Sequence, residues 1–304
     1  MALRRRRYAA KRRSPRRNRR STTKRTIRKS RSRRPSRTAR RMPRRSILNL
    51  VSHKKRDTML GSTTFPADPA NVGGLTVTAP TPAVVLWNAS ARLLAQTGDE
   101  GTIYPSTAQR ENTTCYYRGV KDAITVRTTG SSAWRWRRII FNFKGPIPGV
   151  DMDRTLAFFD VNNRERYQRV AVALPFASVA ALYSTVFRGL GINDLTVSPQ
   201  DWLDPITAPI DTTRITTKFD KVFQVRSGND AGVVKTYPLW HGINKNIVYN
   251  DKEIGGNLSP SYVSTTGKPG MGDLYVMDII IGNSDDEAEH LDWIPTSTVY
   301  WHEK

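Results

Sequence analysis

The first acidic residue of this chain is Asp57. Ahead of it, residues 1–56 hold 26 of the 49 Lys and Arg, which leaves 23 bases against all 26 Asp and Glu in the remaining 248 residues, a net of −3. The formal net charge of +23 therefore belongs to an arm, and the body behind it is nearly neutral. An acid-free run of this kind has little apolar surface to bury and its charges repel one another, so residues 1–56 are expected to be disordered and to bind polyanions. The body is long enough to bury a sizeable core.

The basic residues of residues 1–45 are Arg4, Arg5, Arg6, Arg7, Lys11, Arg12, Arg13, Arg16, Arg17, Arg19, Arg20, Lys24, Arg25, Arg28, Lys29, Arg31, Arg33, Arg34, Arg37, Arg40, Arg41, Arg44 and Arg45. Arg outnumbers Lys 20 to 3 among them. A guanidinium grips phosphate bidentately as well as attracting it, and each phosphate neutralised releases condensed counterions. These residues are the expected nucleic-acid contacts: tight, sequence-blind and salt-sensitive. A nuclear import signal is expected on the same stretch, at Arg4 to Arg7 and Lys11 to Arg13, with Lys54, Lys55 and Arg56 as a further cluster. Membrane-surface binding is disfavoured, because no amphipathic apolar stripe accompanies the charge.

After Asp57 the composition changes. Residues 57–82 read as an extended linker rich in Gly, Pro and Thr, and residues 83–304 as one domain. Runs rich in Val, Ile, Thr, Tyr and Trp, bounded by turn residues, predict strands over Val84–Leu94, Thr114–Thr128, Trp134–Phe143, Thr213–Arg226, Gly232–Trp240, Asn246–Asn250, Asp273–Gly282 and Ser297–Trp301. The run from Leu274 to Ile281 reads as a strand buried on both faces, in which Asp278 requires a partner. One helix is predicted over Ala177–Leu190, from Val179, Leu182, Val186 and Leu190 at helical spacing, ended by Gly189 and Gly191. Segment 144–170 is expected to be a loop at one end. Eight strands, long connections and one short helix give an all-β fold, a sandwich or jelly roll.

The chain carries no P-loop, no G-x-S-x-G elbow and no H-E-x-x-H pair. The single cysteine, Cys115, excludes a disulfide framework and a Cys-based zinc site, and its place at the start of an apolar strand makes it an inert buried thiol. The run Asp285, Asp286, Glu287, Glu289, His290 and Asp292 reads as a solvated turn, with a divalent-cation or nuclease site and a subunit-facing patch as alternatives. In Trp134-Arg135-Trp136-Arg137-Arg138, strand periodicity puts both tryptophans on one face and Arg135 and Arg137 on the other. Those arginines are possible nucleic-acid contacts; the favoured reading makes the tryptophans core and the arginines rim or interface. No catalytic residue, metal ligand or cofactor is expected.

The order of arm, linker and β body resembles the capsid proteins of small circular single-stranded DNA viruses. More narrowly it resembles genomovirus (gemycircularvirus-like) capsid proteins, with geminivirus coat proteins as more distant relatives. The resemblance is carried by Trp134–Gly145 (WRWRRIIFNFKG), Arg154–Arg164 (RTLAFFDVNNR), Phe223–Asn229 (FQVRSGN), His241–Gly255 (HGINKNIVYNDKEIG) and Asp273–Asn283 (DLYVMDIIIGN). It implies an eight-stranded jelly-roll subunit, a single T=1 icosahedron of sixty copies, and an arm directed inward onto a circular single-stranded DNA genome. Its implied partners are other copies of the chain, that genome and host nuclear import receptors, with the virion and the host nucleus as its locations and no membrane partner. The rival readings are a ribosomal or chromatin-associated protein with a basic tail, and a nuclease.

Overall fold

β-Branched and aromatic residues fill a pleated, half-buried surface well, and the runs that carry them form the strands of this protein. A computed structural model describes residues 43–63, 72–95, 108–156, 158–160, 165–191 and 200–304. In chain order the first strands are β1 (His53–Ser62), β2 (Leu75–Thr78), β3 (Ala83–Asn88), β4 (Thr114–Thr128) and β5 (Trp134–Phe143). Three short ones follow, β6 (Phe158–Asp160), β7 (Glu165–Tyr167) and β8 (Arg169–Val170). The last are β9 (Thr216–Val225), β10 (Val234–Val248), β11 (Lys252–Ile254), β12 (Asn257–Ser259), β13 (Asp273–Gly282) and β14 (His290–Glu303). Two α-helices, α1 (Arg44–Val51) and α2 (Phe176–Val186), and one 3-10 turn, Met152–Thr155, complete the described elements.

Ten strands make two principal sheets. The first runs β10-β4-β14-β1-β8, with β2 paired to the start of β14; the second runs β3-β13-β5-β9. The strands β6 with β7 and β11 with β12 form two separate pairs. Number the eight principal strands in chain order as β1, β3, β4, β5, β9, β10, β13 and β14. Their order is then 6-3-8-1 in the first sheet and 2-7-4-5 in the second.

The inner faces of the sheets close on one core, with Trp134, Trp136, Val276, Trp293, Val299 and Trp301 fully buried in it. Trp136 stacks on Phe223 at 4.5 Å and meets Tyr237 edge-on at 5.4 Å, geometries that favour the ring quadrupoles. A second core covers the outer face of the second sheet. There Leu86, Ile139, Phe141 and Met277 pack beneath Leu182 and Val186 of α2 and beneath Trp202. β13 is thus buried on both faces, as its unbroken apolar run predicts. The first sheet has no such cover among the described residues. Its inward positions are core and its outward positions alternate as exposed or half-buried, most regularly along β4.

The all-β reading holds, and several boundaries differ from expectation. Among the described residues, two α-helices are present instead of one, and ten strands instead of eight build the two sheets. Residues 53–62 and 75–78, expected as arm and linker, are paired strands: β1 runs antiparallel to β14 from His53↔Glu303 to Leu60↔Thr296. The charges of β1 hid it, but its inward Lys55 and Asp57 find the partners Glu111 and Arg92. Segment 144–170 holds the 3-10 turn, the β6–β7 pair and β8, which joins β1 at Gly61–Ser62. α2 ends at Val186, three residues ahead of Gly189, because Phe187 turns extended and bridges Ile210. The two runs expected at 232–240 and 246–250 merge into β10, with an irregularity between Gly242 and Lys245 where Asn244 has φ 51°. β14 begins at His290, seven residues before Ser297.

Candidate nucleic-acid interface

Of the 23 basic residues expected to contact nucleic acid, those from Arg4 to Arg41 lie outside the described residues, and Arg44 and Arg45 open α1. Residues Arg45–Lys304 form one unit by themselves. The backbone of Lys54-Lys55-Arg56, expected as a further import cluster, is bonded to β14. Lys55 points inward, 2.8 Å from Glu111 and donating to the Gln109 carbonyl at 3.0 Å. Lys54 and Arg56 point outward and stay exposed.

The Trp134–Arg138 stretch obeys its strand periodicity. Trp134 and Trp136 face the inner core, and Arg135 and Arg137 face the opposite side of β5. Arg137 is buried and forks onto Asp220 at 2.9 and 2.7 Å, while its Nη1 donates to the carbonyls of Pro205 and Ala208, both at 2.8 Å. With four donors taken, Arg137 has no grip left for a phosphate; it ties β5 to β9 and to the segment around Pro205. Arg135, half-exposed, is paired with Asp204 at 2.5 Å. Both arginines thus have structural partners within the chain.

Arg138, the third arginine of that stretch, shares the inward face with the tryptophans and is fully buried. Its Nε and Nη2 fork onto Asp278 of β13 at 2.7 and 3.0 Å, and its Nη1 reaches across the core to Asp122 of β4 at 2.5 Å. Arg169 of β8 donates to Asp278 at 2.7 Å, and Trp136 Nε1 donates to the same carboxylate at 2.7 Å. Ser297 of β14 donates to Asp122. Two guanidiniums and two carboxylates thus sit, balanced, between the sheets. Burial works against the charge on Asp122, but Arg138 and Arg169 outweigh it and hold the carboxyl below its ordinary value. Burial likewise opposes the charge on Arg138, and Asp278 and Asp122 outweigh it. Arg169, less fully compensated, is drawn down to about 10 by burial. His241 borders the cluster, its Nε2 3.8 Å from Asp122. Burial and then the charge of Arg138 lower its pKa to about 4, so it is neutral at pH 7. The need of Asp278 for a partner was legible in the sequence; that Arg138 meets it was not.

A second charged knot gathers around Arg110 and Arg92, with Arg110 Nε donating to the Arg92 carbonyl. Arg110 forks onto Asp251, at 2.5 and 2.6 Å, and its guanidinium lies 3.9 Å from the Tyr249 ring. Arg92 bonds Asp57 at 2.9 Å between the rings of Tyr167 and Trp301. Cys115 is buried, and burial pushes its thiol well above the ordinary value. The acidic run splits between turn and strand: Asp286 accepts from Ala288 N, Glu289 accepts from Ser132 N, and His290 and Asp292 belong to β14. Among the described residues no three His, Cys, Asp or Glu side chains converge as metal ligands, and no helix is long and apolar enough to cross a membrane.

Compared with models of known protein families and with curated proteins, the chain finds no match.

Proposed function

We propose that this chain is a viral capsid protein whose body is a jelly roll and whose arm packages a circular single-stranded DNA genome. The observation that carries the reading is the partition of charge: 26 bases without an acid ahead of Asp57, and a body of net −3 behind it. Near-neutral bodies approach one another without strong repulsion, and the arms neutralise what the bodies enclose. The strand order supports the same reading. Strands 1, 3, 6 and 8 fall in one sheet and 2, 4, 5 and 7 in the other, the alternation between sheets that a double Greek key of eight strands makes. In this reading the chain has a structural role without catalysis. Sixty copies close a T=1 shell, and Arg4 to Arg7 with Lys11 to Arg13 carry the chain into the host nucleus.

Light scattering and electron microscopy of the purified full chain test it. A body of about 260 residues is about 47 Å across, so sixty of them tile a sphere roughly 20 nm in outer diameter. Particles of that size are expected. A monomer with a basic tail, the ribosomal or chromatin alternative, would show none.

A further inference from the structure

Two faces of the sandwich look outward, and they are built differently. The second sheet's outer face is roofed by α2 and by Trp202, and the first sheet's is not, among the described residues. On that open face Trp240 of β10 is 56% exposed. Beneath it lies Gly119 of β4, where a Cβ would crowd the His241 carbonyl oxygen and stand 2.9 and 3.0 Å from the indole ring. The missing side chain lets the indole lie over the sheet, and Tyr300 of β14 meets it edge-on at 5.7 Å. The indole thus has Gly119 and Tyr300 beside it and still leaves more than half of the residue exposed.

The neighbours of that ring are cationic. Register sets Lys121 beside Trp240, Arg56 beside Tyr300, and Lys54 beside His302. Lys54, Arg56 and Lys121 are exposed and form no ion pair among the described residues. Arg118 is exposed on the same face, bonded only to the neutral Asn244. His302 feels these charges: beyond its burial, Arg118 and Lys54 lower its affinity for a proton. Asp292, an acid of the same sheet, lies toward the far end of β14, opposite Arg127 in register and accepting from Thr76.

We propose that the open face of the first sheet is a binding platform for an unpaired nucleic-acid strand, with a base stacked on Trp240 and its phosphates on Arg56, Lys121 and Lys54. Bases have a π-face whatever their sequence, and a sheet that pairs exposed aromatics with flanking cations accepts them without reading them. Charge complementarity favours this occupant over a second copy docked by the same face: apposing two such faces would set like charges against each other. The platform would add a grip that depends on bases to the arm's, which depends on phosphate alone. It rests on the nucleic-acid reading of the arm but not on the shell.

Dissociated full-length subunits are titrated with a 20-nucleotide oligothymidylate and with an abasic strand of equal length and charge. Trp240→Ala is expected to weaken oligothymidylate binding about tenfold while leaving the abasic strand within about twofold, and Trp240→Phe to retain most of the affinity. Lys121→Gln should weaken both strands and reduce the log–log salt slope by about 0.7. Unchanged oligothymidylate binding by Trp240→Ala overturns the platform, and so does equal loss on both strands. Loss of particles with unchanged binding by the subunits would instead make the face a protein contact. Failure of the wild-type chain to bind either strand would overturn the platform and the arm's role together.

Discussion

Arg138→Met should be among the most damaging single substitutions in the body, and the reason lies in the charge balance of the interior. Methionine fills most of the volume without the guanidinium. Asp278 would keep Arg169 and Trp136 Nε1, both at 2.7 Å, but Asp122 would keep only Ser297 as a hydrogen-bond partner. The cluster then holds one positive and two negative charges in a region that is 0% exposed at Asp122, Arg138, Arg169 and Asp278. Asp122 must take up a proton. Protonating at pH 7 a carboxyl whose ordinary value is 3.8 costs about 4 kcal/mol at 1.36 kcal/mol per pH unit, within the 3–5 kcal/mol typical of breaking a buried pair. Urea unfolding of dissociated subunits at pH 7 should show this loss. It should shrink as the pH falls toward 5, because acid supplies the proton that the variant lacks. Asp122→Asn combined with Arg138→Met restores balance and should recover most of the stability. A loss below about 1 kcal/mol, or a double variant as unstable as the sum of its parts, would refute the network.

Acid should act on the wild type through His241, whose pKa of about 4 in the fold lies below the ordinary 6.5. The unfolded chain takes the proton first, so stability is full above pH 6.5 and falls as the pH drops toward 4. The loss is about 3 kcal/mol, and His241→Phe should remove it; an unchanged pH profile in urea titrations would argue against a neutral buried imidazole. Deleting residues 1–42 should leave the thermal transition of the body in place and abolish packaging in the proposed shell, since their composition offers little to bury in a core. Full-length binding to single-stranded DNA should weaken with salt at a log–log slope of about −0.7 per phosphate neutralised, and a truncated chain that still packages DNA would contradict the arm's role.

The strands Thr114–Thr128, Trp134–Phe143 and Asp273–Gly282 were legible to the residue, because their apolar and β-branched runs end at sharp turn signals. β1 was not legible. Its HKKRDT start reads as arm, and only tertiary partners, Glu111 for Lys55 and Arg92 for Asp57, let such residues face inward. Asp292 and Pro295 similarly concealed the first half of β14. The Trp-Arg alternation of β5 placed four side chains correctly, yet periodicity could not say that Arg138 faces a carboxylate on the opposite sheet. Trp240 carried no signal of its own: in a strand of mixed polarity, its outward place follows only from the register of β10 on β4.

The most direct test of the packaging role is to extract and size the nucleic acid in purified particles. The 23 bases of residues 1–45 lie ahead of β1, so sixty copies in the proposed shell would bring 1380 positive charges. With one negative charge per nucleotide, and mobile cations neutralising a further share, the packaged molecule should be a single strand of roughly 1.5 to 3 kilobases. A duplex, or a strand of about 6 kilobases or more, would exceed what such arms can neutralise and would contradict either the sixty-copy shell or the arm's part in it.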